Sequence, residues 1–214
     1  MFVIFAEAHK IIGRKMNNEI LDIYGIELDE KNLLWGSVLP DIHPKYKFIR
    51  HYQDESIEFI AKEIIKIIYI YRNVDFDKIS KFEMKSLSKR IGIVSHYLSD
   101  YTCLPHAERW TFKDSMVRHI KYESRLNEYA LKHDFKKNRI YTNDLDIYET
   151  NPRELKASIK EYIEAVVSEE YRVKESYEND LDFALSLNIK LLYFILDTIN
   201  IYSEEIAGHF AFQI

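Results

Sequence analysis

Residues 91–123 read IGIVSHYLSDYTCLPHAERWTFKDSMVRHIKYE, and the interpretation of the whole chain turns on them. His96 and Asp100 stand four apart, His106 follows, and His119 and Glu123 again stand four apart. On a helix, positions i and i+4 share a face one turn apart, so each pair aims an imidazole and a carboxylate at a common point. Donors of this kind at this spacing suit a divalent metal. Pro105 breaks the first helix just before His106, which the pattern places on a loop.

Single pairs carry little weight. With 35 acidic residues in 214 and eight histidines, about 1.3 such pairs arise by chance. The third pair, His51 with Glu55, is read as a decoy of this sort. The His119 pair has support from its surroundings, because Phe112, Met116, His119, Glu123, Leu126 and Ala130 fall within about 80° on a helical wheel. A carboxylate on such an apolar face is costly without a partner. The His96 face, shared with Lys89, Gly92, Asp100 and Cys103, is compatible with a solvated surface as well as with a site.

Outward from this stretch, only five Gly and four Pro interrupt long stretches of 3.6-residue periodicity. The expected fold is all-α, a multi-helix bundle, with residues 1–214 forming a single domain. Sixteen Tyr and twelve Phe imply an aromatic-rich interior. A net charge of −5 gives no basic footprint for nucleic acid. Two bound divalent ions would bring it to about −1 and three to about +1, concentrated where an anionic substrate docks. The lone Cys103 excludes a disulfide framework and reads as a small core residue, with an extra soft ligand as the lesser alternative. No secretory signal is recognisable, so a cytoplasmic location is expected. The most apolar segment, residues 191–201, is too short for a membrane span and reads as a buried bundle helix.

In chain order, residues 2–24 form a helix whose inner face holds Phe2, Phe5, His9, Ile12, Met16 and Ile20, so that His9 points inward. A short helix over 31–38 is followed by Asp41 and His43 in a turn between Pro40 and Pro44. Asp54 is expected to cap a helix reaching residue 71. Helices are further expected over 82–102, 111–137, 152–176 and 180–207, with Asn151-Pro152 as the start of the third of these. His209 looks incidental.

Taken together, His9, Pro40-Asp41, His51, His96-x3-Asp100-x5-His106 and His119-x3-Glu123 resemble the ligand series of the bacterial zinc-dependent phospholipase C family. The resemblance covers roughly residues 1–130 by motif. It implies that Asp41, His51, His96 and Asp100 bind one Zn²⁺ and that His106, His119 and Glu123 bind a second. It further implies that Asp100 bridges to a third Zn²⁺ held by His9. In that family a processed N-terminal tryptophan completes the third ion; this chain opens Met1-Phe2, and the Met1 amine is expected in that place. The implied activity is hydrolysis of a small phosphoester or a phospholipid by metal-activated water, with Asp41 as the candidate catalytic general base.

Three alternatives remain open at this stage. A related zinc nuclease family that cuts single strands shares the ligand order, but its last pair ends in aspartate where this chain has Glu123. An HD-type phosphohydrolase would use His133-Asp134 and leave the His96, Asp100, His106 set unexplained. A non-catalytic zinc protein would keep the ligands without an open coordination position. No stable nucleic-acid complex is expected.

Overall fold

A computed structural model describes residues 6–110, 115–145, 151–171 and 174–211, with side chains as far as Tyr202 in the last of these. The expected helical positions Phe2, Phe5 and Phe112, the Met1 amine and the His209 side chain lie outside the described residues. The described residues form an all-α fold without strands. The helices are α1 (Glu7–Tyr24), α2 (Glu30–Gly36), α3 (Leu39–Ile42), α4 (Gln53–Tyr71), α5 (Lys81–Tyr101), α6 (Leu104–Ala107), α7 (Met116–Ala130), α8 (Pro152–Ala165) and α9 (Tyr177–Ala211). A 3-10 turn at Pro44–Tyr46 and a π-helical turn at Val166–Glu170 complete the list.

Local chemistry explains most of the boundaries. Gly25 ends α1 with φ of 68°, a left-handed conformation that glycine adopts without a Cβ penalty. Ser80 and Glu83 form a reciprocal capping box at the start of α5. Asn151 accepts the backbone N–H of Arg153 and caps α8, with Pro152 at its first position.

Four boundaries differ from the sequence expectation. Tyr52, not Asp54, precedes the first residue of α4, and Asp54 lies within the first turn, where its charge still favours the helix N-terminus. His106 is not in an open loop: Pro105 starts the short helix α6, which carries it. The helix expected to reach residue 137 stops at Ala130. Beyond it, His133 Nε2 lies 2.6 Å from Asp182 Oδ1 on α9 and the Lys136 N–H donates to the same oxygen at 2.9 Å, so the chain is pinned to α9 instead of continuing as helix. The helix expected over 152–176 ends at Ala165 in the π-helical turn.

Residues 177–202 of α9 are long and apolar enough to cross a membrane by length and composition, which the shorter segment 191–201 was not. Yet 72% of that window is buried inside the fold. Leu187, Leu191, Ile195 and Ile199 pack in one core with Ile60, Ile64 and Ile68 of α4 and with Leu87, Ile91 and Leu98 of α5.

Helix α5 is central. From Ile91 to Tyr101 every residue is buried, polar and apolar alike, because α1 and α2, α4 and α9 all pack against it. The tightest of these contacts is with α2. A Cβ on Gly92 would lie 2.2 Å from the Leu33 carbonyl oxygen, and one on Gly36 would lie 2.2 Å from the Lys89 carbonyl oxygen. The two backbones therefore touch where both residues lack side chains.

Gly92→Ala is expected to destabilise the fold by about 3 kcal/mol, because backbone and not a flexible side chain must move. Gly13→Ala is the control. Its Cβ would meet the Leu34 Cδ2 methyl at 3.1 Å, a group that can give way, and the helix gains roughly 0.5–1 kcal/mol in propensity. Urea unfolding followed by circular dichroism should show the first variant well below wild type and the second at or above it.

Candidate metal centre

Six elements deliver eight side chains to one end of α5. His96 and Asp100 come from α5 itself, His9 from the first turn of α1, Asp41 from α3 and His51 from the bend before α4. His106 comes from α6, and His119 with Glu123 from α7. Three groups of ligand-type atoms lie within 4.8 Å of one another: His9, Asp41 and His96; His51, His96 and Asp100; His106, His119 and Glu123.

Asp100 joins them. Its Oδ2 lies 2.7 Å from His51 Nδ1 and 3.2 Å from His96 Nε2, while its Oδ1 lies 3.4 Å from His9 Nε2 and 3.8 Å from His106 Nε2. Each carboxylate oxygen thus faces a different pair of imidazoles. Asp41 Oδ1 faces the first two groups, 3.4 Å from His96 Nε2 and 3.8 Å from His51 Nδ1. In the last group Glu123 Oε1 lies 2.7 Å from His119 Nε2 and 3.2 Å from His106 Nε2.

The arrangement can be tested for a cation by asking where its protons are. His96 Nδ1 lies 2.9 Å from the Ser37 carbonyl oxygen, and His119 Nδ1 lies 3.2 Å from the Trp110 carbonyl oxygen. A carbonyl can only accept, so both Nδ1 atoms carry the hydrogen and both Nε2 atoms are left with a lone pair in the neutral ring. Those lone pairs point at carboxylate oxygens and, for His96, at His51 Nδ1, 3.1 Å away. Acceptors converging on acceptors require a positive charge between them, and the residues present therefore fit Zn²⁺. His9 Nδ1 and His106 Nδ1 are buried without a hydrogen-bond partner, so no carbonyl selects their tautomer.

Without a metal ion, protons supply that positive charge. Burial works against ionisation of Asp100, yet the neighbouring His96 and His106 hold its carboxyl well below the usual range. Burial likewise opposes a charge on His96, but Asp100 and Asp41 raise its pKa well above the ordinary value; for His106, Asp100 and Glu123 do the same. Asp41 and Glu123 are each pulled down to about 2 against the cost of burial, Asp41 by His96 and Glu123 by the adjacent His106 and His119. Burial and the nearby His96 push His9 down to about 4, so it is neutral at physiological pH, with the lone pair a metal needs.

Supporting contacts hold these elements in register. Asn127 on α7 accepts the Ala8 N–H at 2.7 Å and donates to the Glu123 carbonyl at 2.7 Å, tying the start of α1 to the Glu123 turn. Asp180, buried on α9, accepts from the Leu104 N–H at 3.0 Å, the Tyr122 hydroxyl at 2.8 Å and the Tyr171 hydroxyl at 2.7 Å. Burial pushes this carboxyl up to about 7 in spite of these donors. Arg109 takes up a positive φ of 51° just after α6 and pairs with Asp54 and with Glu55 at 2.9 Å. Glu55 is therefore engaged with Arg109 and not with His51. Cys103 is buried in a small apolar cluster with Leu104, Trp110, Tyr122 and Leu126 and belongs to none of the three groups.

Sequence reasoning missed Ser37, Trp110, Asn127 and Asp180. The first two act through backbone carbonyls, which leave no trace in residue type. Asn127 carried a weak signal, four residues after Glu123 on the same helical face. The His133-Asp134 pair does not form a site: His133 joins Asp182, and Asp134 is exposed.

The family model for zinc dependent phospholipase C matches residues 2–173. The chain belongs to this family. No curated protein and no solved structure matches it. Zinc dependent phospholipases C are hydrolases, and membership agrees with an all-α fold and with histidine and carboxylate groups able to hold Zn²⁺. The matched region contains all eight residues singled out above, but α9 lies beyond it.

Two outcomes follow. A histidine whose folded pKa is raised stabilises the fold below its unfolded value of 6.5, and that contribution is lost as pH rises through the folded pKa. Chelated protein should therefore lose melting temperature as pH rises above about 6.5, whereas zinc-loaded protein should not, and the gap between the two melting curves should widen with pH. Separately, His133→Ala should cost about 2 kcal/mol by leaving the buried Asp182 short of a partner, with zinc content unchanged by elemental analysis. Zinc loss in that variant would contradict the placement of the centre.

Proposed function

We propose that the protein is a phospholipase C-like phosphodiesterase in which Asp41, His51, His96 and Asp100 hold one Zn²⁺, and His106, His119 and Glu123 hold a second. A third ion would sit between His9 and Asp100. The observation that carries this reading is Asp100, whose two oxygens address two different pairs of imidazoles from the floor of the site. A carboxylate that only closed a structural site would need one such set. We further propose that residues 1–214 work as one domain, since α9 shares its core with α4 and α5.

Zinc, when bound, supplies Lewis acidity toward phosphate oxygens and toward water. The chain's own residues divide the remaining tasks. Asp100 and His96 are buried, with Asp100 at 5% side-chain exposure, and they fix geometry without touching bulk solvent. Asp41 is the open carboxylate, 35% exposed at its side chain, and it is ionised at neutral pH. It accepts a hydrogen bond from water at the rim and orients that water toward an incoming phosphodiester. Its low pKa makes it a better orienting acceptor than a proton store. The Ser37 and Trp110 carbonyls keep His96 and His119 from rotating, so that the donor atoms stay convergent while substrate binds and leaves.

The test is metal content together with turnover on a phosphocholine ester, a short-chain phospholipid and single-stranded DNA. Wild type is expected to carry at least two zinc ions and to favour the phospholipid. Asp100→Asn should lower turnover more than about a hundredfold and release zinc, exceeding the usual cost of an outer-shell change. Glu55→Ala should change neither. Zinc-replete protein without turnover would reduce the centre to a structural role, and preference for DNA would move it to the nuclease class.

A further inference from the structure

The segment between Asp41 and His51 has a character of its own. Residues 42–50, IHPKYKFIR, hold three cations, Lys45, Lys47 and Arg50, and no acid, in a chain whose net charge is −5. None of the three has a carboxylate partner among the described residues; Lys45 lies over the Tyr46 ring at 5.4 Å. Phe48 is 89% exposed and Ile42 43%, and Trp35 on α2 is 49% exposed. Only Tyr46 in the middle of the segment is buried, where it packs on Phe59 and fixes the segment to α4.

Its position is set by the two residues that bracket it. Asp41 and His51 approach within 3.8 Å across the metal centre, so the segment is held at the mouth. Beside it runs a groove of about 440 Å³, lined mainly by Leu34, Trp35, Val38 and Ile42 and reaching Asp41. Lys31, also lining that groove, forms no salt bridge among the described residues, although its charge is felt at Asp29.

We infer that residues 42–50, with Trp35, form an interfacial docking surface that seats the mouth of the metal centre on a bilayer containing anionic phospholipid. The reason is charge and polarity together. Unpaired cations on an acidic protein are drawn to an anionic surface over about a Debye length, and exposed Phe, Ile and Trp side chains among them enter the headgroup boundary. Neither feature serves the packing of the fold, because Phe48 and the lysines touch little of it. A water-soluble substrate would need neither. Docking here also brings the apolar groove next to Asp41 into register with a lipid leaving from the bilayer. That last point rests on the phospholipase C-like reading of the centre, whereas membrane binding by the segment does not.

The experiment uses zinc-loaded full-length protein and vesicles of phosphatidylcholine, alone or with about one third phosphatidylserine. Wild type is expected to co-sediment with the mixed vesicles far more than with the neutral ones, and less so as salt rises. Lys45→Gln/Lys47→Gln should weaken partitioning to the mixed vesicles about thirtyfold, a factor of about five per cation. Phe48→Ala should weaken it about tenfold. Both variants should keep wild-type zinc content and wild-type rates on a monomeric, water-soluble phosphodiester. Equal partitioning of wild type to both vesicle types, or variants that partition like wild type, would overturn the inference. So would capture of single-stranded DNA in place of vesicles with the same dependence on Lys45 and Lys47. If turnover on the soluble diester is absent while vesicle binding follows the expected pattern, the docking surface stands and the hydrolase reading falls.

Discussion

The contact on which the rest depends is the crossing of α2 and α5 at Gly36 and Gly92. Because neither residue has a side chain, the two backbones touch, and the next residue of the chain, Ser37, places its carbonyl oxygen 2.9 Å from His96 Nδ1. That single acceptor decides which nitrogen of a fully buried imidazole carries the hydrogen, and so which faces the centre. Asp41 follows within one short helix of Ser37, so the same crossing that orients His96 also positions the carboxylate opposite it. A separation of the two helices by the width of one methyl group would disturb both.

The second constraint is electrostatic. Asp100 sits on the most completely buried stretch of the molecule, where an unpaired carboxylate would cost several kcal/mol. It is surrounded by four imidazoles from four different elements, and each of those elements is held by something outside the cluster. Asn127 ties α1 to α7, Asp180 ties α6 and α7 to α9, and the hydroxyls of Ser56 and Tyr101 meet at 2.8 Å between α4 and α5. The cluster therefore does not hold itself together. The scaffold imposes convergence on imidazoles and carboxylates whose charges balance only when a cation, a proton or a metal ion, is held between them.

Helix content, the inward aim of His9 and the one-face pairing of His96 with Asp100 and of His119 with Glu123 could be read from the sequence because they rest on spacing, whereas the grouping of these pairs with His106 rested on resemblance to the family. Glu123 was the clearest case, a carboxylate on an otherwise apolar face. The burial of His96 was not readable in the same way. Helix α5 is covered on all sides, so the usual contrast between an apolar and a polar face is missing, and Ser88, Ser95 and Ser99 make a buried helix look half solvated. These serines return their hydroxyls to carbonyls one turn back or to a neighbouring sulfur, which local pattern does not reveal. The early stop of α7 was hidden for a similar reason. His133 and Lys136 look helical in composition, and only the presence of Asp182 on a distant helix turns the chain away.

The site is asymmetric in depth, and that bears on what it can do. Its floor is Asp100 and His96, closed to solvent, while its rim is Asp41 and His51, partly open. Asp41 and His51 of the rim flank the basic, apolar segment 42–50, so rim geometry and surface character are coupled through nine residues of chain. Prolines at 40 and 44 stiffen the first half of this connection and the buried Tyr46 anchors its middle, which leaves little freedom to move the surface without moving the rim. A rigid connection of this sort means that whatever binds the segment is held at a fixed distance from the metal centre. For the bilayer substrate proposed above, whose depth is set by the membrane, that fixed distance is the quantity that matters.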